Sequence, residues 1–362
     1  MSKTRDSLID ILKGIGIVSV VIGHSGVMFP GAEFIPSFKF VYLYHLMIFF
    51  FTAGAVYSPV KHNDSFAYIG RQMKGSLPLF WAYNFFFLAF HNLFSSMGLL
   101  EIPWFSFNDY VISSAGIVIL SHTELLAGAL WFVPMLLVAK ILFSVTFQMA
   151  EKCRYKVLAH TIVIAFFAAV GLYTNHWGMY FNYHIQTSFL GIPIIYLGYL
   201  FSHYRNYIFK FVNAITCILS AALMYCFINL DIGYIELSIN SIISPLFFYP
   251  VTILGLVFAI SLAAVLQRSR HLTKLFTYLG AISFHIMALH FLAFKLFDWL
   301  LAWGLNLDPV TAMGFPTADS NNGLVYSVVG VTLPVVFVYL FRKLVLLFRK
   351  AVCSESIMNG AN

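Results

Sequence analysis

Charge is scarce in this chain. Only 10% of its 362 residues are Asp, Glu, Lys or Arg, whereas an ordinary soluble domain carries roughly a quarter. That shortage excludes a conventional soluble fold. Cysteine is also sparse: Cys153, Cys217, Cys226 and Cys353 show no ligand-like spacing. Neither a zinc site nor a disulfide framework is therefore indicated, and no metal is expected. The chain contains no internal repeat, no low-complexity tract and no Gly-rich nucleotide loop. No small-x-small cleavage site follows the first apolar stretch, so that stretch reads as a retained helix, not a signal peptide. No soluble domain is appended at either end, and any chemistry has to lie among apolar segments.

Hydrophobic residues fill the space that charge leaves. They make up 60% of the chain, with 39 Phe and 20 Tyr among them, a composition suited to lipid contact and interfacial aromatic belts. At about 20 apolar residues per crossing, the sequence reads as an all-α polytopic membrane protein of about ten transmembrane helices. Their expected positions are 8–29, 40–57, 77–95, 130–149, 157–173, 187–202, 207–230, 243–266, 278–300 and 323–348. The segment 110–121 is too short to cross and reads as re-entrant or interfacial. Residues 1–350 form one membrane domain and 351–362 a short tail.

The net charge of +7 does not signal nucleic acid, because the bases sit beside apolar segments. Lys3 and Arg5, then Lys61, Arg71 and Lys74, then Lys152, Arg154 and Lys156, then Arg205 and Lys210, then Arg268, Arg270 and Lys274, and finally Arg342, Lys343, Arg349 and Lys350 occupy every second connection. The alternate connections hold Glu33, Glu101, Asp109, Glu124, Asp231, Glu236, Asp308 and Asp319, with Lys39 the exception. The positive-inside bias then places both termini in the cytoplasm.

The first apolar run, "DILKGIGIVSVVIGHSG", carries Asp10, Lys13 and His24. Ionisable groups at membrane depth cost a few kcal/mol or more and commonly mark functional paths. Lys13 and His24 are eleven residues apart, three turns plus about 20°, and share a face roughly 16 Å long. Asp10 lies close to that face, three residues before Lys13, and can pair with it. An interfacial Asp–Lys pair and a histidine held by a neighbouring hydroxyl fit the same spacing.

This run resembles the first-helix signature of the acyltransferase-3 membrane proteins: Asp, a base three residues on, ten residues, then His. "YHLMIFFFTAGAVY", "RQMKGSLPLFW", "GALWFVPMLLVAK" and "YLGAISFHIMALH" resemble later segments of that family in the same order. The last places Gly280, Ser283 and His290. Two departures stand out. Lys74 replaces the second Arg of an Arg-x-x-Arg pattern, losing a planar bidentate phosphate contact. Thr52-Ala53-Gly54 stands where Ser-Gly is usual.

The resemblance implies transfer of an acyl group, usually acetyl from acetyl-CoA, to a carbohydrate hydroxyl. It points to a short, single-module member, with "NYHIQTSFLGIPIIYLGYLF" most like the fucose 4-O-acetylase-related subgroup. A bacterial inner membrane and an acceptor such as O-antigen, another surface polysaccharide or a lipid-linked sugar follow from it. Lys13, Arg71 and Lys74 are then candidates for the CoA phosphates, and His24 for the chemistry, since a hydroxyl attacking a thioester needs a base near neutral pKa.

His45 is a further catalytic candidate, although a packed histidine bonded to a carbonyl fits equally. His290 and Ser283 share a face at seven residues' spacing; the pair orients a ring or holds two helices together. Glu124, Trp131, Trp177, Tyr180 and His184 fall on the opposite side from the bases and suit a sugar face; an aromatic interface belt is the plainer account of each. Lys140 and Lys295 interrupt apolar runs, Lys295 at pairing distance in sequence from Asp298. The rival class is a secondary transporter, for which helix number and Pro interruptions also fit, but no inverted repeat is visible. The same fold transferring succinyl or a longer acyl group is a further alternative.

Overall fold

The computed structural model describes residues 6–26, 28–29, 35–59, 64–100, 104–230, 235–242, 244–304 and 323–359. Lys3, Arg5, Glu33, Lys61, Glu101, Asp231, Asp308 and Asp319 lie outside the described residues. Helices dominate: α1 (Ser7–His24), α2 (Ser37–Val41), α3 (His45–Ala55), α4 (Ser65–Ala89), α5 (His91–Ser96), α6 (Phe107–Val118), α7 (Phe132–Glu151), α8 (Lys156–His176), α9 (Ile185–Ile208), α10 (Ala214–Asn229), α11 (Phe248–Leu266), α12 (Arg270–Ala281), α13 (Ser283–Gly304) and α14 (Gly323–Asn359). Two antiparallel hairpins of two-residue strands, Met28–Phe29 with Ile35–Pro36 and Ile235–Glu236 with Ser241–Ile242, are the strand pairings among the described residues.

The scarce polar residues largely punctuate this architecture. Asp6 caps α1 by accepting from the Leu8 N–H at 3.1 Å. Asp64 accepts from Phe66 and Ala67 at the start of α4. Ser106 and Asp109 form a capping box on α6, and Asn213 and Ser269 cap α10 and α12. Each cap satisfies amide groups that no helix can satisfy internally.

Among the described residues, eight helical segments are long and apolar enough to cross a bilayer, with α10 a shorter apolar helix. Each of the ten expected spans overlaps a helix, although α4 is not among the eight, and four differ in extent, the one at 40–57 being interrupted by a turn at residues 42–44 between α2 and α3. The span expected at 77–95 begins twelve residues earlier, at Ser65, because Asp64 nucleates α4 and Pro78 is accommodated within it. The span expected at 207–230 is divided: α9 runs on to Ile208 and α10 starts only after the Asn213 cap. The expected span 278–300 is split at Ile282, since the strongly amphipathic α12 carries Arg270, His271 and Lys274 on one side and cannot continue α13 through lipid. α6, at 12 residues, is about 18 Å long and too short to cross.

α1 sits at the centre of the bundle. In all, 72% of its membrane-crossing window is buried, against 22% for α8 and for α14, and it packs on α2, α3, α11, α12, α13 and α14. The outer helices α8, α10 and α14 instead show large apolar side chains such as Leu158, Phe166, Ile218, Leu223, Val336 and Leu340 to the surroundings. Two crossings bring backbones into contact through glycine. A Cβ at Gly280 of α12 would lie 1.9 Å from the Asp10 carbonyl oxygen, and one at Gly14 of α1 would lie 2.3 Å from that of Phe276. Gly54 and Gly198 do the same for α3 and α9, at 1.7 Å from Ile195 O and 1.9 Å from Phe51 O. Small residues give this approach in a medium that supplies no hydrophobic drive between helices.

Candidate active site

The C-terminal end of α1 delivers His24 to α13. His24 and His290 stack with centroids 5.2 Å apart and planes 13° from parallel, and His24 Nδ1 lies 3.0 Å from His290 Nε2. The direction of that bond follows from the far side of His290. Its Nδ1 is 2.9 Å from the Met287 carbonyl and 3.1 Å from that of Ile286. Carbonyls only accept, so His290 Nδ1 carries the proton and, in a neutral ring, its Nε2 is an acceptor. His24 Nδ1–H therefore donates to it, and the His24 lone pair is left on Nε2. Among the described residues that nitrogen has no hydrogen-bond partner. This is the geometry of a base with an orienting second ring. Phe291 packs on both rings, at 4.9 Å from His24 and 4.2 Å from His290, and His290 is fully buried.

His45 opens α3 close by. It donates from Nδ1 to the Val41 carbonyl at 3.0 Å and stacks on Tyr42 at 4.6 Å, whose ring meets His24 edge-on at 6.3 Å. The carbonyl bond anticipated for a packed histidine is present, and the same bond leaves the His45 lone pair on Nε2. Ser283, at the start of α13, is about 10 Å along the axis from His290; the partner of His290 is His24, across the helix boundary.

Toward the start of α1, Lys13 lines a cavity of about 360 Å³ with Phe49, Thr52, Tyr57, Tyr68, Gln72 and Lys140. Asp10, 3% exposed, is buried where α1 crosses α12. Arg71 and Lys74 are exposed on α4 and are not among the residues lining this cavity. Its second cation is Lys140, whose presence in an apolar run was visible in the sequence but whose partner helix was not. The α1 start is fixed to two other helix ends: Arg205 donates to Asp6, and Gln267 donates to Ser7 at 3.1 Å. At the opposite end Ser25 and Ser327 share a 2.6 Å hydroxyl bond.

A second pocket, of about 130 Å³, lies beside Leu120, His122, Trp131, Tyr180, Tyr183 and His184. Trp131 and His184 pack with centroids 4.6 Å apart, and the Tyr180 hydroxyl lies 3.0 Å from Nε2 and 3.3 Å from Nδ1 of His184. Desolvation raises the Tyr180 hydroxyl above its ordinary pKa, so it stays protonated at neutral pH. Leu120, Tyr183 and His184 all have left-handed backbones, with φ of 65°, 63° and 50°; such non-glycine residues store strain and gather at functional sites.

Glu124, 3% exposed, stands directly behind this pocket. It accepts from His91 Nδ1 at 3.1 Å and from the pocket-lining His122 at 3.4 Å. Its amide donates to Asn84 Oδ1 at 2.9 Å. His91 stacks on Phe105 at 3.5 Å. Trp177 is exposed against Tyr173 and His176 and does not line the pocket.

The 3-10 segment Leu125–Trp131 connects the two regions. Its first residue follows Glu124, its last lines the pocket, and at Gly128 a Cβ would touch the Phe291 ring at 3.2 Å. His91 and His122 escaped the sequence reading because nothing in spacing links residues 91 and 124; only the histidine at 122, two residues before Glu124, hinted at the cluster. Among the described residues no group of three or more His, Cys, Asp or Glu is arranged to hold a metal ion.

No curated protein and no solved structure matched the chain. A family model described as "Acyltransferase domain", that of the acyltransferase-3 proteins, matches residues 6–343. That span takes in α1 through most of α14 and every residue of the histidine pair and both pockets, and the chain belongs to the acyltransferase-3 family of membrane acyltransferases.

Proposed function

We propose that the protein moves an acetyl group from cytoplasmic acetyl-CoA to a hydroxyl of a cell-envelope glycan or lipid-linked sugar, such as O-antigen, across a bacterial inner membrane. Both termini and the Lys13 cavity face the cytoplasm in this reading. The Trp131–Tyr180–His184 pocket faces outward and takes the sugar. We place it with the subgroup related to fucose 4-O-acetylases, on the likeness of the segment "NYHIQTSFLGIPIIYLGYLF". The observation that carries the reading is the His24–His290 pair, which leaves a basic nitrogen on His24; neither ring lines the cation-lined cavity or the aromatic pocket.

His24 Nε2 takes the proton of the acceptor hydroxyl as its oxygen attacks the thioester carbonyl. The C–O bond forms, the C–S bond breaks, and the imidazolium returns the proton to the departing thiolate. While charged, His24 keeps its Nδ1–H on the His290 acceptor, so the ring holds its orientation through the cycle. Asp10 pairs with Lys13 and holds its ammonium toward the donor. A general base of this kind contributes about 10²–10⁴-fold.

The test compares surface polysaccharide, by NMR and mass spectrometry, from cells making wild type or His24→Ala at matched protein levels. O-acetyl groups present only with wild type are expected. Equal modification in both would remove His24 from the chemistry. If neither is modified, isolated membranes with labelled acetyl-CoA decide, and absence of transfer there would sink the reading.

A further inference from the structure

Lys140 has no part in the chemistry above, yet it is placed where a cation is costly. It stands in the middle of α7 among Leu137, Ala139 and Phe143, all buried. A lysine at bilayer depth costs about 3 kcal/mol even on the mildest scale, so such a charge usually has a partner or lines a wet cavity. Among the described residues, Lys140 has neither an ion pair nor a hydrogen bond. It does line the 360 Å³ cavity, as does Lys13.

Two ammonium groups on one cavity repel each other, and an anion between them converts that repulsion into attraction. The remaining polar lining includes groups able to donate, Gln72 and the Tyr57 and Tyr68 phenols, while the Thr52 hydroxyl donates to the Phe49 carbonyl at 3.2 Å. Among the described residues no carboxylate lines it. The exposed bases Arg71 and Lys74, on α4, are not on its wall.

We propose that Lys140 is a phosphate contact, forming with Lys13 an anion site in the wall of the inner cavity. That the phosphate belongs to the acyl donor rests on the function proposed above; the anion site itself does not. The exposed bases then serve only the approach of the donor.

The test uses the full chain purified in detergent, titrated calorimetrically with CoA and, separately, with inorganic pyrophosphate. Lys140→Met should weaken both by roughly tenfold or more, and Lys140→Arg should restore most of the loss. Wild type supplies a second measurement that does not depend on the folding of Lys140→Met. Reductive methylation of Lys140, followed by mass spectrometry, should be suppressed by either ligand.

Unchanged affinity in a folded Lys140→Met, or methylation indifferent to both ligands, would overturn the role of Lys140 while leaving CoA binding intact. Binding of pyrophosphate but not CoA would keep the anion site and discard the donor. Binding of neither would end the proposal.

Discussion

Two imidazoles in contact share one proton arrangement, so their substitutions should not add. Removing the acceptor with His290→Leu should lower turnover by about 10²-fold with the donor KM unchanged, because the His24 ring loses its orientation but not its basic nitrogen. His24→Ala should cost more, and the double variant no more than His24→Ala alone, as for groups acting as one unit; steady-state kinetics in isolated membranes checks both. At the other pocket, Trp131→Ala should raise the acceptor KM roughly tenfold through lost ring stacking and leave the donor KM alone.

Asp10, Lys13 and His24 were legible because an ionisable residue in an apolar run needs a reason, whatever the fold. The contacts they make were not. His24 and His290 are 266 residues apart, and only the packing of α1 on α13 brings them together. The contact between His91 and Glu124, 33 apart, escaped for the same reason.

Helix crossings are where small sequence changes should have large effects. At Gly280 a side chain would run into the Asp10 carbonyl, a backbone atom that cannot turn aside. Gly280→Val should destabilise by about 2 kcal/mol through overpacking and displace Asp10 as well, lowering both the melting temperature in detergent and activity. Gly75, in the interior of α4 with nothing within 4 Å, is the control: Gly75→Ala should stabilise slightly, by about 0.5 kcal/mol, through helix entropy. Hydropathy located the long apolar helices, since a run of apolar residues in this medium has few other options. It misjudged ends wherever a polar cap outweighed it. Asp64 extends α4 backwards, Asn213 delays α10, and the basic side of α12 turns the chain at Ile282 before α13 begins.

The distribution of charge across the whole molecule predicts sidedness. Cys153 is exposed in the connection between α7 and α8, next to Lys152, Arg154 and Lys156. With Cys217, Cys226 and Cys353 replaced by Ser, Cys153 should react with a membrane-impermeant maleimide in inverted vesicles and not in intact cells. The opposite labelling would reverse the orientation inferred from the bases. The charge pattern was readable without any structure, but the central position of α1 was not, since its apolar faces look like those of any other span.

That central position has a consequence for how the molecule is made. α1 leaves the ribosome before the other described helices, yet its anchors are late: Arg205 for Asp6, Gln267 for Ser7, His290 for His24 and Ser327 for Ser25. At about 5–20 residues per second, the interval between His24 and His290 is on the order of 10–50 s. For that time a helix bearing an acid, an amine and an imidazole waits in the bilayer without most of the neighbours it will finally have. Nascent chains interrupted before α13 should therefore be recognised by membrane quality control, and the step most sensitive to a slow codon or a missing chaperone should be the late docking of the earliest helix.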